Sequence, residues 1–201
     1  MLKTDQIKKI FSDKFDNSKI FKNDQYFEIQ INHNQIFGIV KELKDDPNLN
    51  YNQLIDITAV DYPSRHNRFD IIYILLSMTL NSRILIKSEI NEDEKLQSIT
   101  SIHKAADWYE RECYDLFGIQ FLNHPDLRRI MTDYNFEGHP LRKDFPLTGH
   151  TEVRYDDLEK KVIYEPVKLT QEFRNFDYMS PWEGLDNDLI GDEKSKMDND
   201  K

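Results

Sequence analysis

Three consecutive strand-like runs, QLIDITAVD (53–61), RFDIIYILLSM (68–78) and RILIKSEI (83–90), constrain this chain more than any other feature. The links between them, Pro63–Asn67 and Asn81–Ser82, are short and polar. They leave no room for a helical crossover, so the three runs predict antiparallel neighbours. The middle run is apolar on both faces, which predicts a central strand. An earlier stretch, QYFEIQI (25–31), alternates with Phe27, Ile29 and Ile31 on one side, as a half-buried strand does.

Helical periodicity surrounds these runs. Residues 4–15 predict a first helix, capped by Thr4, with Ile7, Ile10, Phe11 and Phe15 sharing a face. Asn32 followed by Gln35 three residues later is a capping box. The helix it opens carries Ile36, Val40 and Leu43 and cannot continue through Pro47. A long helix is predicted over about 93–117, because Ile99, Ile102, Ala106, Tyr109, Cys113 and Leu116 recur at steps of three and four. Gly118 supplies its C-cap. Elements in this order predict an α+β domain over residues 1–118, with helices packed on one face of a mostly antiparallel sheet.

Past Gly118 the pattern changes. Five of the seven prolines fall there, and neither the strand nor the helix period is evident. Aromatic residues nevertheless recur, among them Phe136, Phe145, Tyr155, Phe176 and Trp182, interleaved with Arg128, Arg129, Arg142 and Arg154. Such a mixture is too apolar for a disordered linker, and Tyr, Trp and Arg are the residue types that anchor protein–protein interfaces. Residues 119–185 therefore read as an extended arm. It either becomes ordered along a partner or wraps its own domain. Residues 186–201, DNDLIGDEKSKMDNDK, read as a solvated, disordered acidic tail.

Several classes of chemistry are excluded by what is missing. Lys and Arg number 27 against 37 Asp and Glu, a net charge of −10, so the basic footprint of a nucleic-acid binder is absent. Cys113 is the only cysteine, which precludes an internal disulfide and an iron–sulfur cluster held by this chain alone. His124, His139 and His150 match no zinc spacing, and the six glycines form no phosphate loop. Cys113 lies on an apolar helical stripe beside acids, a setting for packing and not for a nucleophile. The longest apolar run, Ile71–Leu76, is far short of the roughly 20 residues of a membrane helix. The N-terminus has no apolar core of a signal peptide and carries Asp5, Asp13 and Asp16, which an import presequence would avoid. A soluble chain is expected, touching a membrane only through partners.

The stretch WYERECYDLFGIQF (108–121) concentrates charge on one short helical run. Asp107, Arg111 and Asp115 stand four apart, so Arg111 is expected to pair with an acid along one helix face. Trp108, Glu112 and Asp115 suggest a second stripe, rotated from the core face. The run Glu110-Arg111-Glu112, then Asp115, Leu116 and Phe117, then His124, Arg128, Ile130 and Met131, resembles a family signature. It is that of the 30-kDa subunit family of proton-pumping NADH:quinone oxidoreductase, respiratory complex I. The likeness continues through DLRRIMTDYNFEGHPLRKDFPLTGHTEVRYD to FRNFDYMSPWEG and covers nearly the whole chain.

The resemblance implies a peripheral-arm subunit with no flavin, iron–sulfur cluster or quinone site of its own, and the histidine spacing leads to no metal site being expected either. The whole complex would use NADH, FMN, iron–sulfur clusters and quinone. It implies a place beside the quinone-site subunit, which is related to the large subunit of nickel–iron hydrogenases, and near the iron–sulfur subunits. The signature residues and an arm carrying Arg129, Phe136, His139, Arg142, Phe145, Arg154, Tyr155, Phe176 and Trp182 are then the expected interface. The expected location is the cytoplasmic side of a bacterial inner membrane, or the matrix side of the mitochondrial one. With no second domain following, the chain reads as the unfused form. Related subunits in membrane-bound hydrogenases and ferredoxin-linked complexes form the alternative.

Overall fold

The computed structural model describes residues 20–22 and 26–169. The predicted helix at 4–15, Phe176, Trp182 and the acidic tail lie outside them. In chain order the elements are β1 (Ile20–Lys22), β2 (Tyr26–Gln30), α1 (Ile36–Asp45), β3 (Gln53–Asp61), β4 (Phe69–Ser77) and β5 (Ser82–Ile90). They continue with β6 (Lys95–Gln97), α2 (Ala106–Phe117), β7 (Gln120–Leu122), β8 (Thr151–Asp156) and β9 (Lys161–Pro166). The chain forms two compact units, divided between His150 and Thr151.

In the first unit β1 to β5 form one sheet in the order β1-β2-β5-β4-β3. All neighbours are antiparallel except β2 and β5, which run parallel. The three sequence runs thus become β3, β4 and β5, with β4 between the other two. Phe69, Ile71, Tyr73 and Leu75 of β4 point to one side and are at most 1% exposed. Ile72, Ile74 and Leu76 point to the other and are half-buried. The fully buried side is the one the helices cover. Ile36, Val40 and Leu43 of α1 and Ala106, Cys113 and Phe117 of α2 join these strand residues in a single core. The Asn32 capping box forms as expected, opening a 3-10 turn that runs into α1.

The long helix over 93–117 is corrected. Only its second half, α2, is helical. Asn91 Oδ1 accepts from the amides of Asp93 and Glu94, and residues 95–97 pair in parallel with β7 as a small second sheet. Ser98 Oγ accepts from the Thr100 amide, and the Ile99 amide donates to Glu110 Oε1 at 2.8 Å. Hydroxyl and carboxylate acceptors compete with the helical ladder for these amides. The three–four spacing of the buried residues persists because Ile99 is buried in a turn as thoroughly as it would be in a helix.

Residues 119–150, expected to belong to the arm, lie in the first unit. Ile119 and Phe121 are core residues, 3% and 4% exposed. The second unit holds the β8–β9 hairpin, where no strand period was expected. Its cross-strand pairs Val153–Tyr164 and Tyr155–Val162 place apolar and aromatic groups on one face. Val153, Tyr155 and Val162 are each more than half exposed there. Arg154 sits on the opposite face with its Nε 3.2 Å from Glu165 Oε1.

Leu75→Ala, at the centre of the covered face, is expected to cost about 2–5 kcal/mol. Ile72→Ala, three residues away on the open face, should cost clearly less. Urea denaturation of both variants checks the sidedness of the sheet; equal losses would contradict it.

Candidate functional site

The signature of the sequence folds into one clasp between α2 and the loop that follows it. Helix α2 buries three charged side chains, Glu110, Arg111 and Asp115, exposed by 0%, 9% and 0%. A helix can bury charge only where the surroundings replace the lost water. Around Asp115 they do so completely. Its Oδ2 accepts from the amides of Ile130, Met131 and Thr132 at 3.0, 2.7 and 2.8 Å. Its Oδ1 accepts from the Thr132 hydroxyl at 2.5 Å and from Arg129 Nη1 at 2.7 Å. Burial alone would raise the carboxyl pKa, but these hydrogen bonds outweigh it and hold the group well below the usual carboxylate range.

Arg111 behaves differently from the expectation. Instead of pairing with Asp107 or Asp115, its Nε and Nη2 donate to the backbone carbonyls of Arg128 and Arg129 at 3.1 and 3.2 Å. The acid that would have been its partner is taken by Arg129. Asp115 is also removed from the expected Trp108–Glu112 stripe, since it is buried while Trp108 is 68% exposed and Glu112 partly so. The four-residue spacing identifies the right residues and the wrong pairing. A loop 14 to 18 residues downstream supplies nearer donors and acceptors.

The same loop closes the C-terminus of α2. The last carbonyls of a helix have no partner inside it. Here Asp115 O lies 2.8 Å from His139 Nδ1, Leu116 O accepts from the Leu141 amide at 3.1 Å, and Phe117 O accepts from Arg142 Nε at 2.6 Å. Gly118 makes the turn at φ 81°, and a Cβ there would meet Arg142 Nη2 at 2.6 Å and His139 Nε2 at 2.7 Å. Glycine is therefore required both for conformation and for space.

The remaining signature and arm residues fall around this clasp. Leu116 packs against the core, and Phe117 meets Phe69 edge to face at 6.5 Å. The His124 side chain is buried beside Asp107 and Glu110. Arg128 is exposed and pairs with Asp126 at 2.8 Å. Ile130 is half-buried, whereas Met131 is 64% exposed. Arg129 lies over Phe136, which packs on Phe145 with ring centres 5.7 Å apart. Arg142 pairs with Glu92 and lies over Phe69. Arg154 and Tyr155 belong to the second unit.

Two contributors carry no signal in the sequence strong enough to find them. Thr132 sits in an aperiodic stretch, and nothing in its neighbourhood marks it as a donor to a residue 17 positions earlier. Asp61, at the end of β3, receives Arg68 through both oxygens at 2.8 and 3.0 Å and the Lys143 amide at 2.7 Å. An acid at the end of a strand whose other acid, Asp56, lies mid-strand gives only a weak hint. Cys113 meets its expectation: it is 1% exposed, donates to Ile57 O at 3.3 Å, and burial pushes its thiol pKa well up. Among the described residues no cluster of His, Cys, Asp and Glu is placed to hold a metal ion. Nor is any described helix long and apolar enough to cross a membrane.

The clasp predicts how Asp115→Asn behaves. The variant turns one acceptor oxygen into a donor facing amides that also donate, and it strips Arg129 of its charge partner. A loss of about 3–5 kcal/mol at neutral pH is expected. Because the folded pKa is depressed, the wild-type contribution is complete above the ordinary carboxylate value, about 4, and fades as pH falls below it. Acid unfolding followed by circular dichroism should show a steep limb below about pH 4 for wild type and a shallower one for the variant.

Residues 29–151, which include the whole clasp, match the family described as respiratory-chain NADH dehydrogenase, 30 Kd subunit. An NADH-quinone oxidoreductase subunit of Parvibaculum lavamentivorans is 59% identical over 161 residues, 80% of each chain. Its counterpart in Cereibacter sphaeroides is 56% identical over 163 residues, 81% of this chain and 82% of that one. Among solved structures, one of the membrane-bound sulfane sulfur reductase, an archaeal respiratory membrane complex, contains a chain that superposes with a TM-score of 0.60. That match is 23% identical, covers 71% of this chain and 85% of the other, and shows a shared fold. On the family match and these two bacterial relatives together, this chain belongs to the 30-kDa subunit family of respiratory-chain NADH dehydrogenase, complex I.

Proposed function

We propose that the chain is a structural subunit of the peripheral arm of NADH:quinone oxidoreductase. It binds no redox cofactor itself and supports electron transfer from NADH to quinone, coupled to proton translocation. NADH, FMN, iron–sulfur clusters and quinone belong to neighbouring subunits in this reading. Its partners are the quinone-site subunit related to the hydrogenase large subunit and the cluster-bearing subunits. The position is peripheral, on the cytoplasmic side of a bacterial inner membrane or on the matrix side in a mitochondrion.

The observation that carries this reading is how the signature is used. Arg111, Asp115, Arg129 and Arg142 all make hydrogen bonds that fix one loop on α2, and Arg142 also gives its Nη1 to Glu92. None is left converging on a cleft as a reacting group would be. What the clasp presents outward is an apolar display: Trp108, Met131, Tyr134 and Leu141 are each more than half exposed. Interface anchors of this kind, framed by arginines, suit a partner protein. The hairpin face of Val153, Tyr155 and Val162 supports the same reading, since an isolated two-stranded hairpin is marginally stable in water. The equivalent subunit of a related membrane-bound complex is the second reading. It is favoured only by the fold shared with the archaeal reductase chain.

Affinity purification of the tagged chain from its membrane should recover the quinone-site and cluster-bearing subunits, and a hydrogenase or reductase set would select the second reading. Arg111→Ala should reduce the amount of assembled complex several-fold while turnover per assembled complex stays near wild type. Normal assembly with collapsed turnover would contradict the structural role.

A further inference from the structure

Glu110 and Asp107 are the one place on α2 where buried acceptors go without a donor. Glu110 is 0% exposed, and its Oε1 receives the Ile99 amide. Its Oε2 is buried and makes no hydrogen bond, and the same is true of Asp107 Oδ1. Both oxygens flank a single nitrogen, His124 Nε2, at 3.9 and 3.3 Å. That nitrogen has one hydrogen to offer. His124 Nδ1 accepts from the Asp126 amide at 3.0 Å, so the ring proton resides on Nε2, which is aimed at Asp107 O at 3.1 Å. The Ile99 amide is thus taken by Glu110 Oε1 and the His124 hydrogen is directed at a carbonyl, which leaves Glu110 Oε2 and Asp107 Oδ1 unmet. Buried acceptors in this condition are costly. One additional hydrogen on Glu110 would supply the missing donor.

We propose that Glu110 is a proton-binding site: its Oε2 takes a proton from solvent and becomes a donor toward the Asp107 carboxylate, so that the turn 123–126 closes over the first turn of α2 without burying two adjacent negative charges. The route is short, because the Asp107 side chain is 39% exposed and opens the cluster to water. The surroundings favour the protonated form. Burial pushes the Glu110 carboxyl up to about 7, and the charge of Asp107 adds to the rise, while the Ser98 hydroxyl and Ile99 amide oppose it. From β4 the Tyr73 hydroxyl faces the same interior, buried and without a hydrogen bond, and Cys113 lies on the same helix with its thiol pKa raised. No cation among these groups would compensate an ionised Glu110; the only candidate is the His124 ring, whose Nδ1 is already an acceptor.

Position gives the proton its effect. The turn held by His124 leads directly into residues 128–132, whose carbonyls and amides grip Arg111 and Asp115. Proton occupancy at Glu110 therefore sets how firmly the N-terminal side of that clasp is held. The sign follows from the raised pKa. The folded state keeps a proton that the opened state has released, so the stabilisation is present at the acid end and is lost as pH rises through about 7. His103, lowered to about 4 mainly by burial, and His139, also lowered by burial, contribute the opposite slope. A comparison between two forms of the chain removes that background.

Hydrogen exchange of the Asp126 amide in the full chain, in wild type and Glu110→Gln, provides the test. Glutamine keeps the shape and a donor but cannot ionise. The ratio of wild-type to variant protection should fall roughly tenfold per pH unit between about 5 and 7 and then level off. A ratio constant across this range would overturn the proposal. If Glu110→Gln does not fold, the side-chain carboxyl 13C resonances of the wild-type chain decide. One glutamate titrating near 7 supports the site, and all glutamates titrating near the ordinary value of about 4.3 overturn it.

Discussion

The Asp115 carboxylate is the interaction on which the first unit depends. Five donors, three from consecutive amides, one hydroxyl and one guanidinium, meet on two oxygens inside the protein. Few arrangements can bury a full negative charge at no net penalty, and this one does so by turning a loop inside out so that its amides point at a single group. The loop could not hold that conformation on apolar contacts alone, because residues 128–142 have no helix or strand of their own. The acid therefore organises the loop, and the loop in turn covers the carbonyls that α2 leaves open. Gly118 permits the approach, and Arg142 and His139 complete it.

A second charged knot extends the same logic to the sheet. Asp61 at the end of β3 draws in Arg68 and the Lys143 amide, and Arg68 also reaches Asp144 at 2.9 Å. Both Arg68 and Arg142 lie over the Phe69 ring at just over 5 Å. An aperiodic segment is thus fastened at both ends, to a helix terminus and to a strand terminus, by groups that had no satisfied alternative. Low apolar content in the segment is compensated by polar contacts whose partners are themselves buried.

What can be read in the sequence follows from which interactions are local. The three consecutive strands β3, β4 and β5 are legible to within a residue or so, since the period of two and the short links are properties of adjacent residues. The Asn32 capping box is legible for the same reason. Residues 93–105 mislead because a buried turn repeats the spacing of a buried helix face, and it takes the side-chain acceptors of Asn91, Ser98 and Glu110 together with pairing to β7 to break the helix. The signature residues are legible as a group, and their contacts are not: Arg111 and Asp115 take partners from a loop whose position no local rule predicts. The hairpin at 151–166 is hidden by its proline and by charges on its outer face, though TEVRYD and KVIYEP do alternate.

The parallel pairing of β2 with β5 bears on how the chain is made. Tyr26 lies beside Arg83 and Gln30 beside Lys87, so the second strand waits for more than fifty further residues before its neighbour exists. Asp115 likewise waits for residues 129–132. During synthesis the helix and the antiparallel strands leave the ribosome as local structure, but neither the sheet edge nor the buried acid can be completed in that order. Non-local closure of this kind slows folding and keeps apolar edges uncovered for longer. Productive folding of the nascent chain is thus gated late, by a short loop that contributes almost nothing to the core.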